Sequence, residues 1–378
     1  MNFTKLVENI KKKFSEDRII ETKNRLKTVW RLEIPDDRVP FVFSKVPDDS
    51  GVNDERLNET SYNPEQLLYY QLYQLEKRSI LTDDFIPSLF PGLRQAALPS
   101  SFGAVEEKQG EHYWSRPIIK KPEDVYKLAE PNFHKKDSAS WRILENIKYF
   151  RKMTKGGLPV HMCDMQGPMA AASTMWDVND YLVAMYENPD EVHFLNNILM
   201  KAFIKFIDLQ IEAAEGDFIP IHAMPFSWMP KERGVSLSND LLAVVSPEQL
   251  EEFSNPYDNQ ISDYYKGILI HSCGSFKHNL NVLKKVKGLA AINFGSSETD
   301  MNDIIITFKD SILYEPHLTE IAFPPLKVET QEDYIKRISK IIKENNLAAQ
   351  VVVIIPSGYP LVQILELNNL ALQEFAYS

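Results

Sequence analysis

The sequence of 378 residues predicts an α/β protein built as a (β/α)8 TIM barrel. Three observations favour this fold. Short apolar runs alternate with helical patterns, eight such runs occur, and no linker or low-complexity segment interrupts them. A doubly wound open sheet is the main alternative. That fold usually begins with a glycine-rich nucleotide-binding turn, and neither GxGxxG nor GxxxxGK[ST] occurs in this chain.

The first 36 residues predict an N-terminal helical extension. Apolar residues recur at helical spacing from Phe3 to Trp30, and charged residues fill the other face. We expect the whole chain, 1–378, to form a single domain in which residues 37–378 make up the barrel. A further helix is predicted to begin at Asn63 and Pro64, because proline is favoured in the first turn of a helix.

Eight apolar runs bounded by glycine, proline or polar residues are the predicted strands. They lie at 39–44, 83–87, 158–164, 217–224, 267–273, 289–295, 311–317 and 351–358. Segment 88–120 is punctuated by glycines and predicts a β-hairpin insertion, whereas the residues between 224 and Ser246 predict a long loop. Helices are predicted at 122–128, 139–154, 188–214, from 246, at 280–286, 301–308 and 331–345, and at the end of the chain.

Composition excludes several classes of function. The net charge of −11 argues against nucleic acids and anionic membranes as main partners. The two cysteines, Cys163 and Cys273, are too few for a disulfide scaffold. No apolar run is long enough to span a bilayer, and the amphipathic N-terminus does not resemble a secretory signal. We therefore expect a cytoplasmic protein that acts on a small molecule and that could form oligomers.

The strongest chemical signal lies at the end of the predicted fifth strand. Side chains two residues apart on a strand point the same way, so His271 and Cys273 should project together. The active site of such a barrel lies at the carboxyl ends of its strands, and imidazole and thiolate are ligands that Zn²⁺ prefers. A packed histidine and a small buried cysteine are the alternative explanation.

The other strand ends carry further candidate site residues. His161 and Cys163 repeat the His-x-Cys spacing, although packing explains this pair slightly better. Glu298 is a candidate site residue, but it is also explained as an acidic residue that interacts favourably with the start of a helix near Asp300. The candidates at these ends are Lys45, His161, Cys163, Asp164, Gln166, His222, Asn293, Glu298, His317 and Tyr359.

Two segments resemble the uroporphyrinogen decarboxylase (URO-D) superfamily. Residues 271–275 read HSCGS and residues 288–294 read GLAAINF, which is similar to the His-x-Cys-Gly signature of the corrinoid- and thiol-dependent methyltransferase branch. Residues 163–168 lie where the family has its Gly-x-Pro loop, and the resemblance covers residues 36–378.

The resemblance implies an enzyme in which His271 and Cys273 hold Zn²⁺. Zinc would assist methyl transfer to a thiol from a small donor or from a corrinoid, which a partner protein would carry. The family's further cysteine after the last strand is absent at 356–359, so Cys163, His317, Glu298 or a water would complete the ligands. The expected catalytic residues are Asp164, Glu298 and His317, and the expected substrate contacts are Lys45, His161, Gln166, His222, Asn293 and Tyr359.

Two other functions fit the same sequence. A metal-free decarboxylase or lyase would hold an anionic, tetrapyrrole-like substrate through Lys45, Arg94 or Arg116, with Asp164 or His317 as the acid–base group. The family's arginine-rich motif after the first strand is missing here, which disfavours a substrate with many carboxylates. A non-catalytic ligand-binding barrel is the third possibility, and the missing cysteine supports it.

Overall fold

A computed structural model describes residues 2–44, 63–92, 96–109, 112–222, 227–318, 329–356 and 358–377. They form an α/β fold with a parallel central sheet. The α-helices are α1 (Phe3–Lys13), α2 (Glu16–Trp30), α3 (Pro64–Arg78), α4 (Ala97–Ser101), α5 (Ala139–Thr154), α6 (Pro168–Met175), α7 (Val178–Glu187), α8 (Pro189–Ala213), α9 (Pro247–Phe253), α10 (Asn255–Tyr265), α11 (Leu280–Leu283), α12 (Met301–Phe308), α13 (Gln331–Glu344) and α14 (Leu361–Phe375).

Eight of the ten strands in the described residues belong to parallel pairs. The strands are β1 (Phe41–Phe43), β2 (Glu106–Gln109), β3 (His112–Ser115), β4 (Val160–Met162), β5 (Phe218–His222), β6 (Val235–Ser238), β7 (Ile268–Ser272), β8 (Leu289–Gly295), β9 (Leu313–His317) and β10 (Val351–Val353). A six-stranded sheet has the order β1-β10-β9-β8-β7-β6, and β4 pairs with β5. The antiparallel pair β2–β3 is the hairpin predicted within 88–120.

Hydrogen bonds connect the two parallel sheets on the side of β6. The His222 amide donates to Ser236 Oγ at 3.0 Å, and the Ser238 amide donates to the Met165 carbonyl at 2.9 Å. On the other side, Leu89 exchanges backbone hydrogen bonds with Pro159 and His161.

The predicted second strand, 83–87, is wrong. Residues 83–87 form no strand, and the isolated bridge that follows them joins Leu89 to Val160 of β4. The buried carboxylates of Asp84 and Asp83 instead accept the amides of Phe41 and Phe43, both at 3.0 Å. Side-chain oxygens thus take the acceptor positions that a neighbouring strand would supply.

The predicted loop before Ser246 is also wrong in part, because β6 lies within it. Gly234 precedes β6 with φ 106°, and a Cβ there would lie 1.9 Å from the Gly267 carbonyl oxygen. Only glycine lets the two backbones approach this closely. The four residues of β6 alternate Val-Ser-Leu-Ser, a pattern too short to identify a strand from sequence.

The predicted helices are present with small changes. Asn63 and Ser246 cap α3 and α9 as expected, and Ser246 forms a capping box with Gln249. The predicted helix at 122–128 is a 3-10 helix over Pro122–Lys127, and the one at 280–286 ends at Leu283. In the described residues, no helix combines the length and the apolar character that a membrane span requires.

Buried apolar side chains form two separate clusters. The larger one lies between the helices and the strands and includes α1 through Phe3, Val7 and Ile10. The smaller one, which we call the inner cluster, consists of Val29, Trp30, Ile219, Ile221, Met229, Leu269, Ala291, Leu313 and Ala348. Trp30 of α2 also donates its Nε1–H to the Trp228 carbonyl at 2.8 Å. The end of α2 therefore packs against the inner face of the strands.

Replacing Asp84 by Asn is expected to destabilise the fold by about 3 kcal/mol. The buried Asp84 carboxylate contacts the guanidinium groups of Arg25 and Arg38, and the substitution removes the negative charge that balances them. The matched control is Glu332→Gln, which breaks the exposed pair with Lys336 and should cost less than about 1 kcal/mol. Urea unfolding of the three proteins measures both effects. Equal losses for the two variants would contradict this account of residues 83 and 84.

Candidate functional site

The inner face of β7 changes from apolar to polar at its carboxyl end. Leu269 belongs to the inner cluster, and His271 follows it on the same face. The Cys273 Sγ atom lies 3.5 Å from His271 Nε2. The structure therefore places the imidazole and the thiol together, with the cysteine exposed and the histidine side chain only 15% exposed.

Asp240 joins this pair. It begins a 3-10 helix just after β6, and its Oδ1 accepts the Cys273 amide at 2.9 Å and lies 3.9 Å from His271 Nε2. Within the described residues, Asp240, His271 and Cys273 are the one group that brings three such ligand atoms within 4.8 Å of one another. We call them the ligand group.

Sequence reasoning missed Asp240 because it missed β6. Recognising Val235–Ser238 as a strand would have placed Asp240 at a carboxyl end, beside the residues after β7. The position of Asp240 is fixed by its neighbour: the Asn239 amide donates to the His271 carbonyl at 2.8 Å.

A buried polar chain continues from Asn239. Its Nδ2 donates to Ser254 Oγ at 3.1 Å, and that hydroxyl donates to Asp258 Oδ2 at 2.7 Å. All three residues are almost completely buried. Helix α10 therefore supports the segment that presents Asp240.

Asn293 orients the imidazole of His271. The Asn293 Nδ2 donates to the Glu315 carbonyl at 3.0 Å, so its Oδ1 faces His271 Nδ1 and accepts a hydrogen bond from it. A proton held on Nδ1 leaves Nε2, the nitrogen that faces Cys273 and Asp240, free to act as a ligand.

Acidic groups surround this imidazole. Burial raises the pKa of Asp164 to about 6 and also raises that of Glu298, with nearby Asp240 adding to both shifts. Burial acts to lower the pKa of His271, but the Cys273 and Asp240 groups outweigh it and raise this pKa to about 10. The surroundings of His271 therefore favour positive charge, which either a proton on Nε2 or a bound cation in its place can supply.

Two predicted residues border the ligand group directly. Glu298 Oε2 accepts the Gly274 amide at 2.9 Å, next to Cys273. Asp164 Oδ1 accepts a hydrogen bond from Ser238 Oγ at 3.3 Å, at the end of β6. Both carboxylates thus lie at the same carboxyl edge as the ligand group.

Three further histidines lie close to His271 or to its neighbours. The ring centroids of His222 and His317 are 5.4 and 5.7 Å from that of His271. His161 is buried, its Nδ1 is 3.0 Å from the Ile221 carbonyl, and burial lowers its pKa to about 4. None of the three belongs to the ligand group.

The remaining predicted residues are not part of the ligand group. Cys163 is fully buried in the larger apolar cluster and burial raises the pKa of its thiol, so its Sγ is not part of the ligand group. Gln166 forms a backbone bridge with Ser238, and Tyr359 packs against the larger cluster. Arg116 pairs with Glu107 on the hairpin. Lys45 and Arg94 lie outside the described residues.

Comparisons with known proteins agree with this geometry. The family model of uroporphyrinogen decarboxylase (URO-D) matches residues 104–312, more than half of the chain, including the ligand group. The chain therefore belongs to the uroporphyrinogen decarboxylase family, which confirms the resemblance predicted from the sequence.

Among solved structures, a methyltransferase from Methanosarcina mazei is similar in fold. The TM-score is 0.65 at 15% sequence identity, and the match covers 93% of this chain and 97% of that chain. At this identity the similarity shows a shared fold. A comparison with curated proteins found no match.

The buried carboxyl group that supports Asn239 predicts a pH dependence of stability. Burial raises the pKa of Asp258 to about 7, above the value of about 3.9 expected in the unfolded chain. Between these values the folded state binds more protons than the unfolded state. The free energy of unfolding should therefore decrease as the pH rises through this window, by at most about 1.4 kcal/mol per pH unit.

The variant Asp258→Asn lacks this titration, so its stability relative to the wild type should increase from pH 5 to pH 7 and then level off. Urea unfolding at several pH values measures the difference. Parallel stability curves for the two proteins would show that Asp258 does not titrate in this range.

Proposed function

We propose that this chain is an enzyme that uses Zn²⁺, held by His271, Cys273 and Asp240, in methyl transfer to a thiol. The main observation that supports this proposal is the ligand group itself, whose three ligand atoms lie within 4.8 Å of one another. The group lies after the carboxyl ends of β6 and β7, where parallel α/β barrels bind their substrates.

The residues present fit zinc. Imidazole nitrogen, thiolate and carboxylate oxygen are its usual protein ligands, and three protein ligands leave a position open for a substrate. Asp240 supplies the third ligand in place of the cysteine that the sequence lacks after its last strand. When bound, zinc would lower the pKa of a substrate thiol so that the nucleophilic thiolate forms near neutral pH.

Neighbouring residues of the chain complete the proposed site. Asn293 holds the proton of His271 on Nδ1. The carboxylate of Asp164 accepts the proton that leaves the substrate thiol, a role that its pKa of about 6 suits. Glu298 fixes the backbone beside Cys273 by accepting the Gly274 amide. The methyl donor is a small molecule or a corrinoid carried by a partner protein.

The proposal includes a closed (β/α)8 barrel made of β1 and β4 to β10. Residues 83–89 would bridge the gap between β1 and β4, since the Asp84 amide donates to the Phe41 carbonyl at 2.8 Å and Leu89 bonds to residues 159 and 161. The inner cluster fills the amino-terminal half of such an interior. A cytoplasmic location stays a prediction from the scarcity of cysteine.

Metal analysis of protein purified under reducing conditions tests the ligand group. We expect about one zinc per chain in the wild type, and loss of most of it in His271→Ala, Cys273→Ala and Asp240→Ala. The control Asp303→Asn removes a carboxylate that pairs with Lys277 outside the group, and it should retain zinc.

If the Asp240→Ala variant binds zinc as fully as the wild type, Asp240 is not a zinc ligand. The whole proposal would be contradicted if the wild-type protein contains no zinc but has decarboxylase or lyase activity, and if Cys273→Ala leaves that activity unchanged. This result would favour the metal-free alternative.

The role of Asn293 is tested by Asn293→Leu, which keeps the volume of the side chain but removes the acceptor for His271 Nδ1. We expect zinc affinity to fall by about 10- to 100-fold, as measured by competition with a chelator. Asn293→Asp keeps an acceptor at the same place and should lose much less. Similar affinities in all three proteins would show that Asn293 does not orient the ligand.

A further inference from the structure

Buried ring nitrogens without partners lie next to the ligand group. His222 is 3% exposed, and neither of its ring nitrogens has a hydrogen-bond partner among the described residues. The Nδ1 atom of His317 is in the same situation within that part of the chain. An unpaired buried polar atom costs about 1–3 kcal/mol, so native proteins keep few of them. These nitrogens are therefore available to a bound molecule.

Both imidazoles are close to one ligand residue, His271. Each has its ring centroid less than 6 Å from that of His271, at 5.4 Å for His222 and 5.7 Å for His317. Neither contributes an atom to the ligand group. A short molecule whose sulfur lies at that group would thus place its next few atoms against these rings.

The charge of this region limits what such a molecule can be. His222 is buried, and the unpaired nitrogens of both rings have no carboxylate partner in the described residues, so a proton added there would be a buried charge without a counter-ion and both rings are neutral. A neutral imidazole offers one donor and one acceptor. In the described residues, no Arg or Lys is among the groups that shift the pKa values of Asp164, Glu298 and Glu315.

We propose that His222 and His317 form a subsite for the uncharged, hydrogen-bonding head group of the thiol substrate, such as a hydroxyl or an amide. This inference rests on the proposed function. A carboxylate or sulfonate would need an Arg or Lys partner, and an ammonium group would be drawn to the acidic residues instead.

A series of four small thiols tests the subsite on the full-length protein loaded with Co²⁺, whose visible absorption changes when a thiolate binds. The thiols are ethanethiol, 2-mercaptoethanol, 2-mercaptoethanesulfonate and cysteamine, which share a two-carbon chain and differ in the head group. Titration gives a Kd for each, corrected for the fraction of that thiol that is ionised at the pH used, so that differences in thiol acidity do not enter the comparison. We expect 2-mercaptoethanol to bind about tenfold more tightly than ethanethiol, and more tightly than both charged thiols, because it gains one hydrogen bond.

The variant His222→Phe keeps a ring of similar size and removes both nitrogens. It should bind ethanethiol as the wild type does and lose the tenfold preference for 2-mercaptoethanol. The control His193→Gln alters a histidine on α8 whose Nδ1 already contacts Tyr257, and it should keep that preference.

Each other outcome has a distinct meaning. Tightest binding of either charged thiol, equal binding of all four, or an unchanged preference in His222→Phe would overturn the subsite. If no thiol alters the Co²⁺ spectrum of metal-loaded protein, the proposed function fails and the subsite fails with it. If His222→Phe does not fold, the four wild-type Kd values decide the question alone.

Discussion

The change from apolar to polar side chains along the inner face of the strands is the constraint on which the rest of this structure depends. It takes place within two residues on three neighbouring strands, where Leu269, Ala291 and Leu313 are followed by His271, Asn293 and Glu315. Because the strands are parallel and in register, the three polar residues lie at one level. The apolar level beneath them is closed by the end of α2.

This arrangement allows the polar residues to be buried, because they form hydrogen bonds with one another. Hydrogen bonds connect His271, Asn293 and Glu315 across adjacent strands, and Gln350, just before β10, donates to the Glu315 carboxylate. Such a network favours one orientation of each side chain, because reorienting one of them breaks its hydrogen bond to a neighbour. The rigidity of this layer is what presents a single nitrogen of His271 to Cys273 and Asp240.

Above the polar layer, the segments after β6, β7 and β8 bring acidic groups and a thiol together around one imidazole. Asp240, Cys273 and Glu298 come from three different loops, yet backbone amides of the 273–274 turn bind two of the carboxylates. Mutual repulsion of these groups favours a bound cation.

Local pattern in the sequence determined much of this protein. Two-residue spacing at the end of a β-branched run was enough to pair His271 with Cys273, and capping residues such as Asn63 and Ser246 marked helix starts. The alternation of strands with helices and the HSCGS segment led to the correct family. Each of these signals lies within a few neighbouring residues, because secondary-structure propensity and the alternation of side chains along a strand are local properties of the chain.

Only the tertiary structure decided the rest. Asp240 reaches Cys273 because β6 pairs with β7, and that pairing depends on the close approach of Gly234 to Gly267, which are distant in sequence. Asp83 and Asp84 bind the amides of β1 where a strand was predicted, a choice set by the arginines that surround them. Contacts between distant segments decide such cases, because their energies exceed the weak preferences of short stretches of chain.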